Sequence, residues 1–144
     1  MKAKKFKARA GCPFSIKDVQ KIGEELEDIK SRGNLTPNRI VDRAKNNKSI
    51  LHQYFEWDDT EAAEKYRLQQ ARQITNHIIE VIVIRGEKVE ERAYFSVTAK
   101  NDEVSYVSLS EAITNPSYKK QLLKDMEGTL ENLLRIIKLF SSME

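Results

Sequence analysis

Lys65, Gln69, Arg72 and Asn76 recur at steps of four, three and four residues, so a helix carrying them lines all four along one side. Such a set can do recognition chemistry on nucleic acid. Arginine suits the guanine edge in the major groove, while glutamine and asparagine suit adenine. Polar helix faces also arise as plain solvated or protein-contacting surfaces, and Glu61 and Glu64 near the start of the same segment would repel phosphates. Both readings stay open from spacing alone.

Other residue types that support chemistry are sparse. Glu56, Asp58, Asp59 and Glu61 cluster as hard cations require, yet they lack the alternating ligand spacing and central glycine of a calcium loop. Negative charge at a helix start accounts for them without an ion. His52 and His77 are the only histidines and fall on different expected elements, with no partner spacing for zinc. Cys12 is the only cysteine; it has cationic Arg9 nearby but no evident base or orienting group. The five glycines are scattered singly, with no phosphate-binding fingerprint. The expectation is therefore no catalytic residue, no metal and no cofactor.

The chain of 144 residues is long enough for one domain with a real core. Charged residues make up 33% and apolar ones 40%, and no apolar run approaches a membrane span, which needs about 20 residues. A single cysteine fits a reducing compartment, so a cytoplasmic protein is expected. Net charge is +3, but Lys2, Lys4, Lys5, Lys7 and Arg9 put five cations into the first nine residues. The remainder then holds 20 basic against 22 acidic residues. Residues 1–13 are expected as a flexible basic arm, either contacting phosphates or simply solubilising the chain.

The elements that must position these residues follow from period and punctuation. Ser15, with Asp18 three residues on, is expected to cap a helix over about 16–32, with Ile16, Val19, Ile22, Leu26 and Ile29 inward. Thr36-Pro37 opens a second helix to about 46, and Ser49 a short third over 49–55. Three such elements resemble a helix-turn-helix core. Asp58, Asp59 and Thr60 are competing caps for a helix over 60–77, with Trp57 as an apolar lid and Ala63, Tyr66, Ala71 and Ile74 inward. The run from Ile78 to Ile84 then reads as a strand covered on both faces. Strands at about 79–85, 89–98 and 103–109 make a three-stranded antiparallel meander, with Arg85 and Lys88 at its first turn. Asn115-Pro116 opens a last helix, 116–140. In it Leu123, Met126, Leu130, Leu133, Ile137 and Phe140 alternate steps of three and four, a heptad stripe suited to an oligomer interface or an intramolecular core. Gly128 lies within that helix, where it could allow close helix approach. The fold class is α+β, a single domain over 14–144.

The block Leu35-Thr36-Pro37, Ser49 to His52, Phe55–Asp59 and Ala62–Arg72 resembles a small family of mostly uncharacterised phage and prophage proteins. The likeness covers roughly residues 35–125, continuing more loosely through Arg92-Ala93-Tyr94 and Tyr106–Leu109. Ile50 departs from the pattern, standing where proline often follows the serine, which leaves the turn intact but less rigid. The resemblance implies a viral or mobile-element setting in a bacterial cytoplasm. It brings no functional residues to carry over.

The reading that results is a non-enzymatic DNA-binding protein, helix-turn-helix or winged-helix-like, forming a homodimer or higher oligomer. Lys65, Gln69, Arg72 and Asn76 would enter a groove, with Lys2, Lys4, Lys5, Lys7, Arg9, Arg85 and Lys88 on phosphates. The competing expectation is a virion structural or protein-interaction module built on the last helix, or an inhibitor of a host protein.

Overall fold

The computed structural model of the protein describes residues 4–58 and 60–143, leaving aside the side chain of Glu61. The architecture is α+β: N-terminal helices, a three-stranded antiparallel sheet, a hairpin and a long C-terminal helix. The chain groups into two compact units, Met1–Leu109 and Ser110–Glu144.

In the first unit, Lys5–Ala8 forms β1 and pairs antiparallel with β2, Ile78–Ile84, which in turn pairs with β3, Glu87–Arg92. The expected basic arm is therefore, over these residues, an edge strand of the sheet. Its pattern Lys-Phe-Lys-Ala has the period of two that a half-buried strand requires. Phe6 is buried against Gly23 of α1, Val19–Ser31, so closely that a Cβ on Gly23 would lie 2.2 Å from the ring. Three antiparallel strands are present as expected, but β1 supplies the third. The stretch 89–98 does not run as one strand; it breaks after Arg92, and β4, Phe95–Thr98, pairs only with β5, Val104–Val107. Ala93, Tyr94 and Phe95 are all buried, and three consecutive inward side chains cannot belong to one alternating strand. The far end of β2 is not covered on both faces, since Val83 is 67% exposed. It leads into a tight turn in which Arg85 and Gly86 both have positive φ, 52° and 82°, the geometry of a two-residue hairpin.

α1 buries Val19, Ile22, Leu26 and Ile29, but Ile16 lies in a preceding 3-10 turn and is 74% exposed. Ser15 makes no side-chain cap; its N–H donates instead to the Tyr54 hydroxyl at 3.1 Å. α2, Pro37–Ala44, starts as its cap predicts, with Thr36 Oγ1 accepting from Arg39 N–H at 3.2 Å. Residues 49–55 hold turns and one 3-10 turn, His52–Tyr54, rather than a third helix. That segment is fastened by Glu25 of α1, which accepts from the Ser49 hydroxyl and from Ile50 N–H at 3.2 Å. A proline at position 50 could not donate that second bond.

Tyr94 is fully buried, and its hydroxyl sits beside Glu27 without completing a well-formed hydrogen bond. Burial pushes its phenol well above the ordinary range, and the nearby Glu27 and Glu80 carboxylates add to this. A raised folded-state pKa contributes stability that is full below about pH 10 and is lost as pH rises through the folded value. Tyr94→Phe is expected to leave stability at pH 7 within about 1 kcal/mol. It should also move the midpoint of alkaline unfolding to higher pH, read by circular dichroism. An unchanged midpoint would show that Tyr94 does not limit alkaline stability.

A short helix that periodicity does not announce, α4, Leu109–Thr114, begins at the last residue of the first unit, and the second unit continues with α5, Pro116–Ser142. Asn115 caps α5 by accepting from Ser117 and Tyr118 N–H at 3.0 and 3.2 Å, with Pro116 in the first turn. A Cβ on Gly128 would meet nothing of this chain within 4 Å. Among the described residues, no helix is long and apolar enough to cross a membrane.

Candidate nucleic-acid interface

α3, Glu61–Asn76, is the element that carries the four-residue line. Of the three competing caps Thr60 takes the role, its Oγ1 accepting from Ala63 N–H at 3.2 Å. Asp59 and the Glu61 side chain lie outside the described residues. The buried side of α3 holds Ala63, Arg67, Ala71 and Ile74, whereas Tyr66, expected inward, is half exposed. Lys65, Gln69, Arg72 and Asn76 are all exposed, so the spacing argument places them correctly on one open side.

Arg67 was not singled out by sequence reasoning, yet it fixes the entry to α3. It is only 8% exposed, and its Nη1 donates to the carbonyls of Glu56 at 3.0 Å and Asp58 at 2.9 Å. Its guanidinium also lies 5.3 Å from the Trp57 ring centre, and His52 is stacked near-parallel with that ring at 5.0 Å. Trp57 Nε1 in turn donates to the His52 carbonyl at 2.9 Å. Trp57 is thus part of a stack against Arg67 rather than a simple apolar lid. The available signal was positional: steps of four, four and three put position 67 in line with Ala63, Ala71 and Ile74. Arg67→Ala is expected to cost about 2–4 kcal/mol of stability, because two backbone carbonyls lose their donor and a packed stack collapses. Urea denaturation checks this, and a loss under 1 kcal/mol would deny Arg67 that role.

The ends of the α3 line differ in surroundings. Lys65 borders an open depression of about 320 Å³ with Asn38, Asp42, Lys45 and Glu64, so acids interleave with the cations there. Arg72 lies near the buried Tyr106 phenol. Burial raises that phenol's pKa, and the neighbouring Thr75 and Arg72 oppose the rise. Asn76 accepts at Oδ1 from Arg92 Nη2 at 3.2 Å, which links the end of α3 to β3. His77 follows as the cap residue, its Nδ1 donating to the Gln73 carbonyl at 2.6 Å.

The N-terminal cations are not equivalent. Lys2 lies outside the described residues. Lys4 is held by Glu27 at 2.7 Å and faces Glu80 at 3.8 Å, and Lys7 pairs with Glu90. Lys5 and Arg9 are exposed, as are Arg85 at the hairpin turn and Lys88 on β3. Cys12 Sγ donates to the Phe14 carbonyl at 3.1 Å, and no three His, Cys, Asp or Glu gather as metal ligands among the described residues.

On α5, Leu123, Met126, Leu130, Leu133, Ile137 and Phe140 are 49–72% exposed, with Leu134 and Leu139 similarly open. The stripe is therefore apolar, regular and uncovered. Set against protein-family models, curated proteins and solved structures, the chain matches none of them.

Proposed function

We propose that this chain is a non-enzymatic DNA-binding protein that works as an oligomer. One observation carries the DNA reading: Lys65, Gln69, Arg72 and Asn76 stand exposed along one side of a helix whose other side is fixed in the core. A helix held that firmly presents its side chains at a defined spacing, as base-edge recognition demands. A hairpin follows directly, with Arg85 at its turn, as in winged arrangements. The resemblance to phage and prophage proteins agrees with a DNA transaction in a bacterial cytoplasm.

Assembly is the second half of the proposal, and the exposed stripe of α5 supports it. Positions 123, 130 and 137 alternate with 126, 133 and 140 in a strict heptad. Six large apolar side chains left about half or more exposed along one side of a helix mark an interaction surface. Two copies offer each other self-complementary knobs and holes, and the second unit holds five basic and five acidic residues, so net charge does not oppose pairing. Copies joined this way would also bind DNA with raised effective concentration.

The rival reading, a protein-interaction module or inhibitor, is favoured by Glu64 beside Lys65 at one end of the α3 line. Arg72→Ala separates the two. On the DNA reading it relaxes base preference at one position by about 1–3 kcal/mol, measured by competition among point-substituted duplexes. Unaltered preference would remove Arg72 from the reading side chains.

A further inference from the structure

The outward face of the three-stranded sheet gathers cations that are far apart in the chain. Lys7 lies across from Ile79, and Ile79 from Arg92; Lys5 lies across from Val81, and Val83 from Lys88. Paired positions share a face, and neighbouring residues along a strand alternate. Phe6 points the other way, into the core at Gly23, so Lys5, Lys7, Lys88 and Arg92 stand on the open side. All four are exposed. They stand in two columns about 10 Å apart across two strand spacings, Lys5 and Lys7 on β1 and Lys88 and Arg92 flanking Glu90 on β3, with Ile79, Val81 and Val83 between them. Glu90 is the one acid that the register puts on this face, and it pairs with Lys7. At one edge Arg9, Arg92 and Asn76 line an open depression of about 440 Å³ together with Glu90 and Glu91.

We infer that this sheet face is a phosphate-contacting surface for double-stranded nucleic acid, continuous with the α3 line through the Arg92–Asn76 hydrogen bond. The inference rests on the DNA reading and adds to it a second contact surface, with Arg92 as a member no spacing argument had named. The chemistry selects phosphates over bases. Lysine and arginine neutralise phosphate at any sequence, and apart from Asn76 of α3 at its edge the face offers no asparagine or glutamine to read a base edge. It also selects duplex over single strand. Single-strand platforms stack bases on aromatic rings, and the central column here is aliphatic.

The test is the salt dependence of binding by the full chain to a mixed-sequence duplex, to oligo-dT of equal length and to poly-glutamate. Lys5→Ala/Lys88→Ala is the main variant, since both side chains are exposed and neither contributes to the core. Arg92→Ala is the second, with thermal melting as a control for the fold. Each phosphate contact contributes about 0.9 to the log–log salt slope, so the double variant should lose about two units of slope. Base preference of that double variant should stay as in the parent, because neither lysine touches the α3 line, whereas Arg92 holds Asn76. A parent that binds no duplex at low salt overturns the DNA reading itself. A parent that binds, with both variants keeping its slope, overturns the sheet surface and leaves α3 standing. Tighter binding to oligo-dT than to duplex overturns the duplex assignment. Equal binding of poly-glutamate, lost in the same variants, overturns it in favour of an acidic polypeptide.

Discussion

Phe6→Ala is expected to lower the free energy of unfolding by about 3–5 kcal/mol, the range for removing a buried phenylalanine. The ring is buried on the inner face of β1 and rests against Gly23, where no larger residue could let it approach so closely. β1 is also tied in by backbone pairing with β2 and by Gln20, which accepts from Phe6 N–H at 2.9 Å and donates to the Lys4 carbonyl at 2.8 Å. A typical domain is stable by only about 5–15 kcal/mol, so this one substitution removes much of the margin. Chemical denaturation measures it directly. A loss below about 1 kcal/mol would mean that the N-terminal residues are detachable after all. The same geometry alters how truncation must be interpreted. Deleting residues 1–9 strips an edge strand as well as cations, so weaker DNA binding by that variant could not be assigned to charge alone.

The second large effect concerns assembly. Leu133→Glu/Ile137→Glu places four carboxylates in the contact of each pair of copies, where apolar knobs should interlock. Each half-exposed knob offers on the order of 1 kcal/mol on burial, and six per copy together compare with an association cost of about 4–15 kcal/mol. Replacing two of them with charges should abolish the oligomer at micromolar concentration. The parent should sediment at a small integer multiple of 16.7 kDa and the variant at that mass itself, with helical content retained. Identical masses for the two proteins would exclude α5 as the joining element.

Much of this fold is legible in the sequence because helix starts are written in few residues. Thr36-Pro37, Thr60 and Asn115-Pro116 each open a helix where they are expected to. Periodicity likewise identifies the buried faces of α1 and α3, apart from Ile16 and Tyr66. What escapes is decided at long range. Lys5–Ala8 is too short and too charged to announce a strand, and only the edge of β2, some seventy residues later, makes it one. The break at Ala93-Tyr94 is hidden because the apolar residues on either side of it fit one alternating pattern until Tyr94 is counted. Arg67 is missed because charged residues are ordinarily assigned outward; its partners are backbone carbonyls, which no side-chain pattern reveals. The α3 line is legible in full, since helical spacing alone determines it. Its junction with Arg92 is not, because that depends on the register of β2 and β3.

Whether the chain binds DNA at all is decided by fluorescence anisotropy of the purified full chain with a mixed-sequence duplex at about 50 and about 200 mM salt. Binding at the lower salt should fall by about 10³-fold or more at the higher, as expected for six or more phosphate contacts. No binding at the lower salt by protein that melts cooperatively would contradict the DNA reading.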